Sequence, residues 1–223
     1  MDQVLYIPWD DKLTSDDFRR GHPLAPVRVE LTMSLARQLG VFDAPGVTLA
    51  PVWPAEDALV ELVHAPDYLH AVRNAAQIGY AERVGFGLGT EDNPVFPGMH
   101  GAAALVVGAS VAAADAVWSG VARHGANMAG GLHHAVDVVP RIWAHVLAEA
   151  AHRPIAPQTE TPAAWRRHAA ERTGRRAPVT MTDGRDPLLR SWANGYDPAD
   201  RADQAVLAAR REVFPYHGLD PMP

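Results

Sequence analysis

Two adjacent histidines, His133 and His134, are the strongest candidates for chemistry in the sequence. They follow a pair of glycines, which let the backbone come close to a substrate. Histidine titrates near neutral pH, so a pair can divide the roles of general base and general acid. The alternative is a surface pair in a turn, because two adjacent histidines are by themselves an unspecific signal.

A second candidate is Asp92, which lies in a segment rich in glycine and proline, residues 87–96. A carboxylate held in a loop on a rigid scaffold can accept hydrogen bonds from the amide N–H groups of a ligand. The alternative is that Glu91 and Asp92 solvate a turn and cap the helix that follows. The sequence alone leaves both interpretations open.

The third candidate is Arg28, in the segment 22–28 and one helical turn before Leu31. It could line an interior channel. The alternative is a surface arginine, because arginine side chains are mostly exposed. His64 and Tyr68 are expected to be packing and capping residues unless a ligand reaches them.

Composition limits the classes of function. The chain has 20 basic and 26 acidic side chains and a net charge of -6, without the basic excess that binding to nucleic acid requires. It has no cysteine, which excludes disulfides and thiolate metal ligands. The first 11 residues do not have the pattern of a signal peptide, and the apolar run 101–122 contains Asp115. We expect a cytoplasmic protein that binds neither nucleic acid nor membrane, and the oligomeric state is not predicted.

The predicted elements alternate between strand and helix. Residues 4–7 and 47–53 are predicted strands, and apolar residues at every fourth position from Val27 to Leu39 predict a helix that stops at Gly40. The glycine-rich segment 79–97 is predicted to be a loop. An alanine-rich helix is predicted over 101–122, and its small side chains permit close approach to its neighbours. This order predicts an α/β fold with a largely parallel sheet, with at most four strands before Ala135. Further helices are predicted over 138–150, 163–172 and 202–213, separated by loops.

Taken in order, the motifs resemble the histone deacetylase superfamily, and within it the acetoin-utilisation branch. The motifs are the His-Pro pair followed by Arg28, the stretch from His64 to Tyr68, the Asp-x-Pro at Asp92, and Gly-Gly-Leu-His-His-Ala at 130–135. The resemblance implies an open, mostly parallel α/β sheet of the arginase/deacetylase type. It implies zinc-assisted hydrolysis of an acetyl-lysine or of a small acetyl-amide.

The resemblance also implies residue roles. His133 and His134 match the catalytic tandem histidines, one as general base to the metal-bound water and the other as electrostatic partner and proton donor to the leaving amine. Asp92 matches the rim carboxylate that holds the substrate backbone. Arg28 matches an arginine beside the internal channel where acetate leaves.

The chain departs from the family pattern after Ala135. The family continues with an Asp-x-Asp-x-His-His segment that holds two zinc ligands, a later aspartate ligand and a tyrosine that stabilises the oxyanion. Here Val136 starts the sequence that follows the tyrosine motif in the family, as after an internal deletion. We therefore divide the chain into an N-terminal part of the deacetylase domain, 1–135, and a C-terminal helical and loop segment, 136–223.

Loss of the zinc ligands implies loss of the metal. His133, His134 and Asp137 are close in sequence, but nothing in the chain supplies the supporting groups that a zinc site needs. We expect that this chain does not bind zinc and that its sheet is incomplete. Three interpretations follow: an impaired deacetylase, a non-catalytic remnant that binds a partner, or a gene sequence that has lost its middle.

Overall fold

The computed structural model describes residues 4–14, 25–130, 139–182, 196–199 and 201–222. The chain divides into two compact units, Met1–Gly184 and Arg185–Pro223. The described strands of the first unit are β1 (Leu5–Pro8), β2 (Val47–Ala50) and β3 (His124–Gly125). Its described helices are α1 (Val27–Gln38), α2 (Asp57–Val60), α3 (Pro66–Arg73), α4 (Tyr80–Gly85), α5 (Met99–Trp118), α6 (Val139–Ala150) and α7 (Ala163–Thr173).

The described strands form a parallel sheet in the order β2-β1-β3. Leu5 of β1 stands opposite Val47 on one side and His124 on the other. Parallel neighbours need crossover connections, which here contain α1 between β1 and β2, and α5 between β2 and β3. The predicted α/β class with a parallel sheet is confirmed.

Sequence from both sides of the Ala135–Val136 junction shares one hydrophobic core. Leu5 and Ile7 of β1 are fully buried, and they belong to the same cluster as Met33 of α1 and Leu147 of α6. Central strands of parallel sheets are apolar because helices cover them. The segment that follows the junction is therefore part of the folded body of the first unit.

Helix α1 follows the predicted apolar pattern. Leu31 and Leu35 are buried, and the helix ends just before Gly40, which has a φ of 69°. Glycine adopts this left-handed conformation without the penalty that a Cβ brings, so it is the usual residue after a helix end. The predicted stop at Gly40 is confirmed.

Helix α5 packs closely on its neighbours through glycine. A Cβ on Gly108 would lie 1.8 Å from the carbonyl oxygen of Trp53, and a Cβ on Gly125 of β3 would lie 2.3 Å from that of Ala113. The predicted close approach of this small-residue helix is confirmed. By length and composition alone the helix could also cross a membrane.

Three predicted elements differ from the structure. The alanine-rich helix predicted over 101–122 ends at Trp118, and Gly120 follows it in the left-handed conformation that is usual after a helix end. The predicted strand 47–53 ends at Ala50, because Pro51 cannot donate a ladder hydrogen bond. The glycine-rich segment 79–97, expected to be a loop, contains the short helix α4. The division at residues 135 and 136 follows the family motifs and stays a prediction, whereas the compact units separate after Gly184.

The described part of the second unit consists of helix α8 (Arg201–Val213), a 3-10 turn at Phe214–His217 and short flanking segments. The guanidinium of Arg210 lies 4.8 Å from the ring centre of Phe214 and donates to the carbonyl of Met222 at 2.7 Å. These contacts fold the end of the chain back on α8.

Candidate functional site

The tandem histidines His133 and His134 lie outside the described residues, but the segment that leads to them is described as far as Gly130. It leaves the carboxyl end of β3 at Gly125, the side of a parallel sheet on which ligands usually bind. The catalytic roles of both histidines stay predictions.

Asn127 fixes the segment before the histidines to helix α5. Its side-chain amide donates to the carbonyl of Val106 and to the hydroxyl of Ser110, each at 2.9 Å. Its side-chain oxygen accepts the N–H of Ala129 at 3.0 Å. An amide that uses both its donor and its acceptor groups in this way holds the backbone in one conformation.

Arg28 is buried in the first turn of α1, with 5% of its surface exposed. Its Nη1 donates to the carbonyl oxygen of Ala25 at 3.0 Å, and the carbonyl of Arg28 accepts the hydroxyl of Thr32 at 2.7 Å. The alternative of an ordinary surface arginine is therefore wrong. A buried guanidinium fits the expected channel position, and the channel role itself stays a prediction.

Asp92 is exposed in the loop that follows α4. The loop is held by local bonds: Gly89 donates to the carbonyl of Asn93 at 2.8 Å, and the N–H of Asn93 donates to the hydroxyl of Thr90 at 3.0 Å. Helix α5 begins after Gly98 with no side-chain cap, so capping by Glu91 or Asp92 is wrong. Asp92 is thus presented to solvent on a fixed loop, and its binding role stays a prediction.

His64 is exposed and Tyr68 is partly buried, and the two rings pack on each other. Their rings stack with centres 5.4 Å apart, and Tyr68 also lies 6.2 Å from the ring of Phe86. This contact joins α3 to the start of the loop that carries Asp92. Neither residue caps a described helix through its side chain.

Residues that the sequence does not indicate as functional line a groove between α4 and the Asp92 loop. The groove has a volume of about 390 Å³ and includes Tyr80 and Arg83 of α4 as well as Glu91 of the loop. The spacing of Tyr80 and Arg83, three residues apart, could have indicated one helical face. The flanking glycines instead favoured a loop at this position.

The described fold is an open α/β fold with a parallel sheet, and the segment that leads to the tandem histidines leaves the carboxyl end of β3. Residues 22–140 match the histone deacetylase domain. That match covers more than half of the chain, and the chain belongs to the histone deacetylase family.

Similar proteins place the chain in the acetoin-utilisation branch of this family. It is 46% identical to the acetoin utilization protein AcuC of Bacillus subtilis (strain 168) over 119 residues, 52% of this chain and 30% of that protein. It is 34% identical to AcuC of Staphylococcus aureus (strain MRSA252) over 129 residues, 57% of this chain and 33% of that protein. The matched region thus spans about a third of the length of these relatives.

A solved structure, that of the HDA15 HD domain, is also similar. It has 18% sequence identity and a TM-score of 0.48, and the similarity covers 67% of this chain and 44% of that one.

Family membership implies zinc in general, and a zinc site needs side chains that can act as metal ligands. The parts of the chain that the structure describes contain no group of three His, Asp or Glu side chains that could hold a metal ion, and the whole sequence lacks cysteine. A catalytic zinc site normally has three protein ligands and one open position. The donors of the described residues do not fit such a site, and the segment with His133, His134 and Asp137 lies outside them.

Proposed function

We propose that this chain is a deacetylase-family protein that holds an acetylated amine, on a protein or in a small amide, but does not hydrolyse it by itself. The observation that supports the holding role is the family match over residues 22–140, which includes Arg28, Asp92 and the tandem histidines. The zinc ligands and the oxyanion tyrosine expected by resemblance are not among its residues.

The proposed holding role depends on Asp92. Its carboxylate is exposed on a loop that local hydrogen bonds hold in place, and a carboxylate accepts hydrogen bonds only. Two consecutive amide N–H groups of a bound peptide would satisfy it. A hydrogen bond to a charged group contributes about 1.5–3 kcal/mol, so removing the charge should weaken binding measurably.

The lack of hydrolysis follows from the chemistry that His133 and His134 would need. A histidine base removes a proton from water efficiently when that water is already acidified, and a metal normally provides this in the family. Without it, the two imidazoles have no activated nucleophile to deprotonate and no polarised carbonyl to assist. The chain therefore has groups that can transfer protons, but it has no complete hydrolytic site.

The test measures binding and turnover separately. A fluorescently labelled acetyl-lysine peptide is titrated with the purified chain, and acetate release is followed with zinc added. We expect saturable binding, weakened about tenfold by Asp92→Asn, and no acetate release above that of a His133→Ala, His134→Ala double variant.

The matched control is Asp115→Asn, since Asp115 is an exposed carboxylate on α5 that is not in the Asp92 loop. It should leave binding unchanged. Turnover that disappears in the double histidine variant would show that the chain is a working hydrolase. Absence of peptide binding, or equal binding by both aspartate variants, would overturn the holding role.

A partner-binding role is the second candidate, and exposed aromatic residues favour it. Trp118 at the end of α5 is 93% exposed, and Trp53 beside the same helix is 74% exposed. Large exposed apolar groups often belong to interaction surfaces. Sedimentation of the purified chain over a range of concentrations tests self-association: a concentration-dependent dimer that Trp118→Ser dissociates supports it, and a monomer at every concentration contradicts it.

A further inference from the structure

We propose that the groove between α4 and the Asp92 loop is a second binding subsite, which takes an acidic side chain of the peptide that carries the acetylated lysine. This inference rests on the proposed holding role of the neighbouring Asp92. Glu91, but not Asp92, lines the groove, so the groove is a separate feature of the same loop.

The groove has the size and rigidity of a binding site. Its volume of about 390 Å³ lies within the usual range of small-ligand pockets. Leu88, which precedes the groove residue Gly89, is fully buried and donates its N–H to the carbonyl of Arg83 at 2.9 Å. The side-chain amide of Asn93 donates to the carbonyl of Gly87 at 3.1 Å. These bonds tie the loop to α4, so the two walls are held together before a ligand arrives.

Arg83 supplies the positive charge of the groove. Its Nη1 donates to the carbonyl of Ala75 at 3.3 Å, which places the guanidinium against the end of α3. Its Nε is buried, and none of the residues that the structure describes accepts a hydrogen bond from it. A buried donor without an acceptor is costly, so an oxygen ligand that reaches the Arg83 guanidinium would be favoured.

A carboxylate is the oxygen ligand that suits this group. Carboxylates bond guanidinium groups through two parallel hydrogen bonds, which commonly include Nε. Because Nε is buried, an acidic side chain that enters the groove forms such a pair when the guanidinium of Arg83 turns towards it. This defines the chemistry of the recognised residue as aspartate or glutamate.

The remaining walls fit the rest of a peptide. Val95 and Phe96 provide apolar surface, and Tyr80 is 70% exposed at the groove. The tyrosine ring can cover the methylene groups of a bound side chain. Glu91 is exposed and accepts hydrogen bonds only, so it suits backbone N–H groups of the peptide and not its acidic side chain.

The experiment compares two acetyl-lysine peptides that differ at one neighbouring residue, glutamate in one and glutamine in the other. Glutamate is placed at each of the three positions on either side of the acetylated lysine in turn, and dissociation constants are measured by fluorescence anisotropy. At one position we expect the glutamate peptide to bind about tenfold more tightly than its glutamine partner. Arg83→Gln should remove this preference, and Tyr80→Ala should weaken both peptides.

The matched control is Arg167→Gln, an exposed arginine on α7, which should keep the full preference. Circular dichroism tests whether Arg83→Gln is folded. If Arg83→Gln does not fold, Tyr80→Ala provides an independent test of the groove. The subsite is overturned if the two peptides bind equally at every position, or if the preference persists in Arg83→Gln. In either case, peptide binding that depends on Asp92 still supports the holding role. If neither peptide binds, both the subsite and the holding role are overturned.

Discussion

Trp165 of α7 donates its indole N–H to the backbone carbonyl of Leu31 in α1 at 3.0 Å, across a sequence separation of 134 residues. Trp165 is 1% exposed and packs in one cluster with Leu31, Leu35 and Ala144. It therefore connects the sequence beyond the Ala135–Val136 junction to the helix that carries Arg28. The residues before and after this junction therefore pack together within the first compact unit.

This contact predicts that Trp165→Ala strongly destabilises the protein. Removing a buried tryptophan costs about 3–5 kcal/mol, because the lost packing leaves a cavity. Urea unfolding followed by circular dichroism measures the loss. The control is Trp118→Ala, which removes a 93% exposed ring and should change the free energy of unfolding by less than about 0.5 kcal/mol. Similar losses in both variants would mean that α7 is not packed on α1 in solution.

The close packing of α5 predicts opposite effects of alanine at two of its glycines. Gly108→Ala places a Cβ 1.8 Å from the carbonyl oxygen of Trp53, so the helix must shift, at a cost of about 1–3 kcal/mol or more. Gly101→Ala meets nothing within 4 Å and should stabilise the helix by up to about 1 kcal/mol. Thermal unfolding compares the two. A stable Gly108→Ala variant would contradict the approach of α5 to Trp53.

His145 predicts a loss of stability in acid. Burial lowers the pKa of His145 from its ordinary 6.5, with Glu149 raising it in part and Arg141 lowering it further. In the unfolded chain this histidine takes up its proton at a higher pH than in the folded protein. His145 therefore makes the free energy of unfolding rise with pH in the region below about 6.5. The stability that neutral His145 preserves is lost as the pH falls through this region.

The check compares the protein with His145→Gln by urea unfolding between about pH 5 and pH 8. Relative to the variant, the unmodified protein should lose stability towards the acid end. Parallel pH profiles would show that His145 does not titrate differently in the two states.

His152 follows α6 with a φ of 53°, a conformation that side chains other than glycine rarely adopt. Its N–H donates to the carbonyl of Glu149 at 3.0 Å, and the N–H of Arg153 donates to that of Ala148 at 2.8 Å, which closes the helix end. His152→Gly should raise the free energy of unfolding by about 0.5–1 kcal/mol. His152→Ala keeps the strain and should show no gain. Equal stability of the two variants would exclude strain at this position.

Much of the fold could be predicted from the sequence because local signals were strong. The four-residue spacing from Val27 to Leu39 and the glycine at 40 define α1, and the alanine-rich run defines α5. Helix α4 was missed because glycines flank only six helical residues, and its neighbours in three dimensions stabilise it. Strand β3 has two residues and no periodic pattern, so pairing with β1 alone defines it.

The candidate site was harder to predict because tertiary packing decides exposure. Most arginine side chains are exposed, so the sequence favours an exposed Arg28, yet this residue is buried in the folded chain. The groove at Arg83 and Glu91 depends on two segments that meet only after folding. The motif that carries the family resemblance, His133 and His134, lies outside the described residues, and its roles stay predictions.

The chain is proposed to hold a substrate without completing a zinc site. Calorimetric titration of the purified, metal-free chain with zinc tests this claim without relying on turnover. We predict weak, substoichiometric heat that the His133→Ala, His134→Ala double variant reproduces. One equivalent of tightly bound zinc, lost in the double variant, would contradict the claim and show that this chain assembles a metal site of its own.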